Sequence, residues 1–364
     1  MFQAPSLQLP YEVRHYILNS EIGKGGFGRV YRAISTHYII DYEFAVKVMR
    51  LPDTMDENYR SQLTSFESEV NALKQLDHMN VIRLYDYFRE DNLVFLVLEY
   101  CPNGTLEERV SSLSFYEKVK VCHDVVVGLQ YCHKMSFAHR DIKTSNILFD
   151  ANNRIKIVDF GLSEFLYDAN QKINKREGSL YYISPEITLK RNYSPFLSDI
   201  WAVGVLIYQV FEESYPFIGA SKDEIFKNIR NVHFTPRKLP YQISCLVKQT
   251  LVRNPDQRMS LSQMEVIFHQ ILVQRVAKSV SVPPKMNAIK TCQIPHLPNL
   301  REVATVNGNM LTNNPNILPP VRRVGYYCPR TGIVGKPIIG ISRSNLDRVE
   351  LKCIRNFKGT HFTS

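Results

Sequence analysis

The stretch from Ile22 to Val30 (Ile22, Gly23, Lys24, Gly25, Gly26, Phe27, Gly28, Arg29, Val30) sets three glycines at G-x-G-x-x-G spacing. Without a Cβ, glycines let backbone N–H groups come close to phosphate oxygens. A flexible hairpin is written with the same residues, so the loop alone decides little. A dinucleotide-binding turn needs a helix directly after the last glycine and an acid about 20 residues on. Here RVYRAIS continues as a strand, and Lys47 stands 19 residues after Gly28. Lys47 lies in the apolar run FAVKVM, where the plain reading is an edge lysine whose stem follows the core and whose head reaches water. Taken with the glycine loop upstream and Glu69 in the following helical stretch, it reads as a fixed cation for nucleotide phosphates, held by a carboxylate. A second concentration of chemical groups is AHRDIKTSNILF at 138–149, which packs an acid, two bases, an amide and an apolar run into twelve positions.

The elements that must position these groups change character along the chain. YILNSEIG, RVYRAIS and FAVKVMR alternate or run apolar between turn residues and are predicted as strands. SQLTSFESEVNALKQL is predicted as a helix, and NLVFLVLEY as a buried strand. After residue 105 a helical period dominates. Val119, Cys122, Val126 and Leu129 share one face, and LSDIWAVGVLIYQVF is apolar nearly all round, the pattern of a buried helix. The expectation is a small strand-rich lobe followed by a larger helical one.

At 364 residues, with 44% hydrophobic and 22% charged residues, the chain suits a two-lobed globular domain plus an extension. No apolar run approaches the length of about 18 residues that a membrane span needs, and MFQAPSLQLPYEVRHY lacks the features of a signal peptide. Seven cysteines without a CxxC pair suggest free thiols in a reducing setting, so a cytoplasmic location, with nuclear access, is expected. The net charge of +10 is uneven: residues 276–364 hold 13 Lys+Arg against 3 Asp+Glu. The same tail holds nine prolines and clusters such as NGNMLTNNPN, and is expected to be largely disordered. Its charge suits an acidic partner. VRRVGYY at 321–327 suits an autoinhibitory contact, and SNLDRVELKCIRNF a calmodulin-like binder.

HRDIKTSNIL resembles the catalytic loop H-R-D-x-K-x-x-N of eukaryotic protein kinases, and DFG follows at 159–161. The glycine loop, the AVK strand, SPE at 184–186 and SDIWAVG at 198–204 fall in the family's order. YPFIGAS and VRNPDQR look closest to the calmodulin-dependent and AMP-activated group. The resemblance implies an α+β, bilobal protein kinase fold: an extension at 1–15, a kinase domain at 16–275 and the basic tail at 276–364. Within the domain it implies a small lobe to about residue 98, a hinge at 99–104 and a large lobe from 105. The implied activity is transfer of the ATP γ-phosphate to Ser/Thr hydroxyls of proteins. The alternative is a nucleotide-binding pseudokinase scaffold, which the presence of Asp141, Asp159 and Lys47 disfavours.

By the same resemblance Asp141 takes the substrate proton and Lys143, a Ser/Thr-type residue, reaches the γ-phosphate. Asn146 and Asp159 offer oxygens to Mg²⁺, and Lys47 with Glu69 grips the α- and β-phosphates. Val30 and Ala45 would cover the adenine and Leu148 lie beneath it. Leu98 would be the gatekeeper, with Glu99 and Cys101 as hinge residues reading the adenine edge. His139 and Trp201 read as core packing, Asp199 as a tie to the catalytic loop, and Glu186 as the partner of Arg258.

The chain departs from the family pattern between Gly161 and Glu186. Lys175 stands where such kinases often carry a phosphorylated threonine, so activity independent of that phosphate is expected, with Glu177 or Asp168 answering Arg140. Ser179 replaces the usual threonine after Gly178, and Leu162 suits kinases that favour serine over threonine. Thr105, Ser145 and Gln209 occupy positions where arginine-selective kinases carry glutamates.

Overall fold

Period-two apolar patterning in the first hundred residues produces a six-stranded antiparallel sheet. The computed structural model describes residues 6–24, 28–37, 42–51, 57–168 and 170–280. Gly25, Gly26 and Phe27, and the tail readings at 321–327 and 344–357, lie outside them. The strands are β1 (Tyr11–Val13), β2 (Tyr16–Lys24), β3 (Arg29–Ser35), β4 (Glu43–Arg50), β5 (Leu84–Glu90) and β6 (Leu93–Glu99), in the order β1-β2-β3-β4-β6-β5. Two of them go beyond the sequence expectation. Tyr11–Val13, assigned to an extension ahead of the lobe, is an edge strand on β2, and the mostly exposed β5 closes the other side.

Helix α1 (Glu57–Gln75) lies against one face of the sheet. Alternation along β4 sorts its side chains. Phe44, Val46 and Val48 pack outward with Leu18, Tyr31 and Phe95. Ala45 and Met49 join Leu96, Leu98 and Val70 of α1 in the main core. Register then pairs Lys47 with Val30 and Leu96, and Ala45 with Leu98, on the inward face.

The second half is helical: α2 (Leu106–Arg109), α3 (Phe115–Lys134), α4 (Pro185–Thr188), α5 (Pro195–Glu212), α6 (Lys222–Asn231), α7 (Tyr241–Thr250) and α8 (Leu261–Val280). Capping boxes start α2 and α3, Thr105 with Glu108 and Ser114 with Glu117, and each such cap contributes about 1 kcal/mol. Val119, Cys122, Val126 and Leu129 are all fully buried on α3. Helix α5 is enclosed on every side from Ser198 to Glu212, with Trp201 stacked on Phe217. The last described helix continues to Val280, past the boundary expected at residue 275. Between α3 and α4 run the short strands β7 (Phe137–Ala138), β8 (Ile147–Phe149), β9 (Ile155–Ile157) and β10 (Glu164–Phe165). β8 pairs with β9, and β7 with β10, so the catalytic-loop stretch is bracketed by two small hairpin-like pairs. No described helix is long and apolar enough to cross a membrane.

Candidate active site

Lys47 leaves the inward face of β4 and meets two carboxylates: Glu69 of α1 at 2.7 Å and Asp159 at 2.9 Å. Burial works against charge on this ammonium, but Glu69 and Asp159 more than offset it and hold the lysine protonated. Lys47 in turn holds the Asp159 carboxyl below the ordinary carboxylate range, against the opposing effect of burial. Asp159 sits in the left-handed region at φ 66°, which a non-glycine residue adopts only when its surroundings impose it. The next turn is fastened to α1, because the Ser65 hydroxyl donates to the Gly161 carbonyl at 2.9 Å. A Cβ on Gly161 would stand 2.9 Å from that hydroxyl, so a larger residue there would push the Ser65 side chain aside.

Asp141 gathers a second set of partners. Its carboxylate accepts from Lys143 Nζ at 2.6 Å, the Ser179 hydroxyl at 2.8 Å, the Ser179 N–H at 3.1 Å and Asn146 Nδ2 at 3.1 Å. Lys143 Nζ also donates to Ser179 Oγ at 3.0 Å. With Nδ2 committed to Asp141, the Asn146 carboxamide keeps its oxygen for another partner. Asn146 is tied to the strand end before Asp159 by the Val158 N–H, which donates to the Asn146 carbonyl at 3.0 Å.

The backbone under Asp141 is clamped from below. Asp199, at the start of buried α5, accepts from the N–H groups of His139 at 2.8 Å and Arg140 at 2.7 Å, and pairs with His133 at 2.9 Å. His139 is fully buried; its Nε2 meets the Val158 carbonyl at 3.0 Å and its Nδ1 accepts from the Asp141 N–H at 3.2 Å. Its ring packs edge-on to Phe160, itself fully buried. Arg258 donates to both oxygens of Glu186, at 2.8 and 2.7 Å.

Val30, opposite Lys47, and Ala45, opposite Leu98, pack against the main core on the inward face of the sheet. Leu148, on β8 opposite Lys156, bridges the Thr105 backbone. Leu98, next to last on β6, pairs with Ala45. Glu99 is held by Lys156 at 2.8 Å, and its N–H donates to the Arg83 carbonyl. The N–H and C=O of Cys101, two residues on, have no partner among the described residues. Burial pushes the Cys101 thiol up to about 12, with Glu99 adding to it, so this cysteine is a neutral apolar group rather than a nucleophile. Ile22 and Lys24 lie exposed at the end of β2, with Gly23 open above Val30. Gly28 has a different reason for being glycine: a Cβ there would meet the Val48 carbonyl at 2.6 Å.

Sequence reasoning missed two contributors. Ser179 was noted only as a substitution, yet it is bonded to both Asp141 and Lys143. Glu164 was not foreseen at all; it lies 3.6 Å from Arg140 and 2.5 Å from Lys175. Of the two acids expected to answer Arg140, Glu177 does so at 3.1 Å. Asp168 does not: its carboxylate accepts from the Asn170 N–H at 2.9 Å, a local loop turn that turns it to its own backbone.

The model of the protein kinase domain matches residues 16–271. The chain belongs to the protein kinase family. Aurora kinase C of Mus musculus is 31% identical over 270 residues, covering 72% of this chain and 94% of the relative. NUAK family SNF1-like kinase 1 of Homo sapiens is 31% identical over 258 residues, 70% of this chain and 38% of the relative. Serine/threonine-protein kinase SIK2 of Gallus gallus is 30% identical over 275 residues, 72% of this chain and 33% of the relative. The kinase domain is thus of the ATP-dependent serine/threonine type, and NUAK and SIK kinases stand among its relatives beside an Aurora kinase. The chain spans only about a third of the length of the two SNF1-like and SIK relatives.

Proposed function

We propose that the whole chain transfers the γ-phosphate of ATP to serine hydroxyls of protein substrates, with threonine less favoured because Leu162 follows the DFG motif. The observation that carries this reading is that both polar clusters are assembled at once: Lys47 with Glu69 and Asp159, and Asp141 with Lys143, Asn146 and Ser179. Asp141 accepts the proton of the attacking hydroxyl and aims its oxygen, and Ser179 and Asn146 fix the carboxylate for that task. Lys143 steadies charge on the transferred group, and Lys47 does so on the other phosphates. By the family resemblance the glycine loop, Val30, Ala45, Leu98 and Leu148 would enclose the adenine and phosphates, and the backbone groups of Cys101 would read the adenine edge.

Asn146 and Asp159 are the residues that would hold Mg²⁺. Their donors fit: both are oxygens, and Asp159 stays ionised beside Lys47. Mg²⁺ is a hard cation that takes few protein oxygens and completes its shell with phosphate and water. When bound, it supplies neutralisation of phosphate charge.

We further read Arg140 as already neutralised by Glu177, which makes activity independent of activation-segment phosphorylation. Initial rates of phosphate transfer from ATP/Mg²⁺ to a degenerate Ser/Thr peptide library, for the full chain beside Asp141→Asn, test the activity. Rates no higher than that blank would bring the pseudokinase scaffold forward. Loss of activity on phosphatase treatment, with phosphate mapped between Gly161 and Glu186, would refute the phosphate-independent reading.

A further inference from the structure

The stretch from Gln171 to Arg191 carries five basic residues, Lys172, Lys175, Arg176, Lys190 and Arg191, and two acids, Glu177 and Glu186. Both acids are engaged, Glu177 by Arg140 at 3.1 Å and Glu186 by Arg258 at 2.7 Å. Lys175 is taken as well, by Glu164. The other four cations, Lys172, Arg176, Lys190 and Arg191, are exposed, and among the described residues no acid pairs with them.

The fold gathers these four. Ile173 and Tyr193 form an isolated antiparallel bridge, each N–H donating to the other's carbonyl at 3.0 Å. The Tyr193 hydroxyl donates to the Lys175 carbonyl at 2.7 Å. Both bridging side chains are buried in a small apolar cluster with Leu166 and Ile187, so the bridge is rooted rather than floating. Segments 172–176 and 190–191 are therefore held side by side. Arg176 stands three residues before Ser179, whose hydroxyl touches Asp141 at 2.8 Å. Three residues span at most about 11 Å, so the patch borders the place where an acceptor hydroxyl is phosphorylated.

The surroundings do little to offset that positive field. Gln209, at a position where a glutamate would attract a basic flank, is neutral, and its carboxamide oxygen accepts from the Tyr182 and Thr144 hydroxyls.

We infer that this basic patch selects acceptor serines flanked by carboxylates or phosphates, an inference that rests on the kinase reading above. An exposed patch of this kind acts through local concentration and encounter, so its effect falls on KM and weakens with salt.

The test uses the full chain and four serine peptides identical but for their flanks: Asp/Glu, phosphoserine, Ala or Arg. The acidic or phosphorylated peptides are expected to exceed the Ala peptide in kcat/KM by about tenfold, the scale of two or three exposed charge pairs. In Lys190→Glu/Arg191→Glu that advantage disappears while the Ala peptide is turned over as before. Equal gains from both anionic flanks assign the patch to charge alone; a gain from phosphoserine only assigns it to substrates already phosphorylated by another kinase. A preference for Arg flanks, no preference, or an acidic preference that survives the double reversal overturns the inference and leaves the kinase reading intact. No transfer to any of the four above the Asp141→Asn level refutes the kinase reading and this inference with it.

Discussion

Lys47 and Lys143 of the site both stand beside carboxylates, and they are held there by different means. Lys143 lies two residues from Asp141, and Asn146 five, so most of that cluster is built by one short loop. Asp199 and His139 then fix the loop from below. Lys47 is 22 residues from Glu69 and 112 from Asp159, and the three come from a strand, a helix and a loop. No member of the first cluster lies on α1. The second exists only while α1 is docked on the sheet and on the Gly161 turn. A kinase that is switched by conformation is therefore most exposed at Lys47, and one that is merely damaged is most exposed at Asp141.

Substitutions can break or sharpen this contrast. The largest effect is expected from Asp141→Asn: kcat falls by about 10³-fold with a smaller loss of thermal stability, because the amide keeps the shape but turns one acceptor into a donor among Lys143, Asn146 and Ser179. A large drop in melting temperature would show that the carboxylate is structural instead. Asp199→Ala removes a buried acceptor of two N–H groups and should cost about 3 kcal/mol in denaturant unfolding. If stability is unchanged, the clamp under the catalytic loop is not Asp199. Lys47→Met is expected to lower kcat by about 10²-fold, and Glu69→Gln by less, since Asp159 still holds the ammonium. Equal losses would mean that docking of α1, not the charge on Lys47, is what matters.

Glu177→Gln should reduce kcat/KM by at most about fivefold, because that carboxylate is half exposed and Arg140 keeps the Leu162 carbonyl and nearby Glu164. A loss beyond fiftyfold would make Glu177 indispensable rather than supportive. The smallest effect concerns pH. Lys47 depresses the folded Asp159 pKa, so the stability that ionisation contributes is present above the unfolded value and is lost as pH falls through the folded one. Lys47→Met should narrow that window, flattening the acid side of a stability–pH series; an unchanged slope would uncouple the two groups.

The catalytic loop was legible because its residues sit in one short motif, and the long-range pairs because the family resemblance implied them. The Lys47–Glu69 pair, the Glu186–Arg258 pair and the Asp199 tie were all expected and are all present. What could not be read is instructive. Tyr11–Val13 is too short to show a period, and only pairing with β2 makes it a strand. Glu164 and Lys175 look like two unrelated surface charges until the β7–β10 pair and the Ile173–Tyr193 bridge set them 2.5 Å apart. Asp168 and Glu177 were equal candidates for Arg140. The choice fell to chain geometry, because a loop turn uses up Asp168.

By itself, then, the order of residues determined the two-lobed architecture and the polar groups of the catalytic loop. Strand and helix periods, and motifs a few residues long, are local properties of the chain. The tertiary structure alone decided which of several like charges find partners and which stay free. A carboxylate and an ammonium pair through space, at a distance set by how separate segments pack. That is why Glu177, Glu164 and Glu186 are paired, and why Lys172, Arg176, Lys190 and Arg191 stay exposed with no acid partner among the described residues.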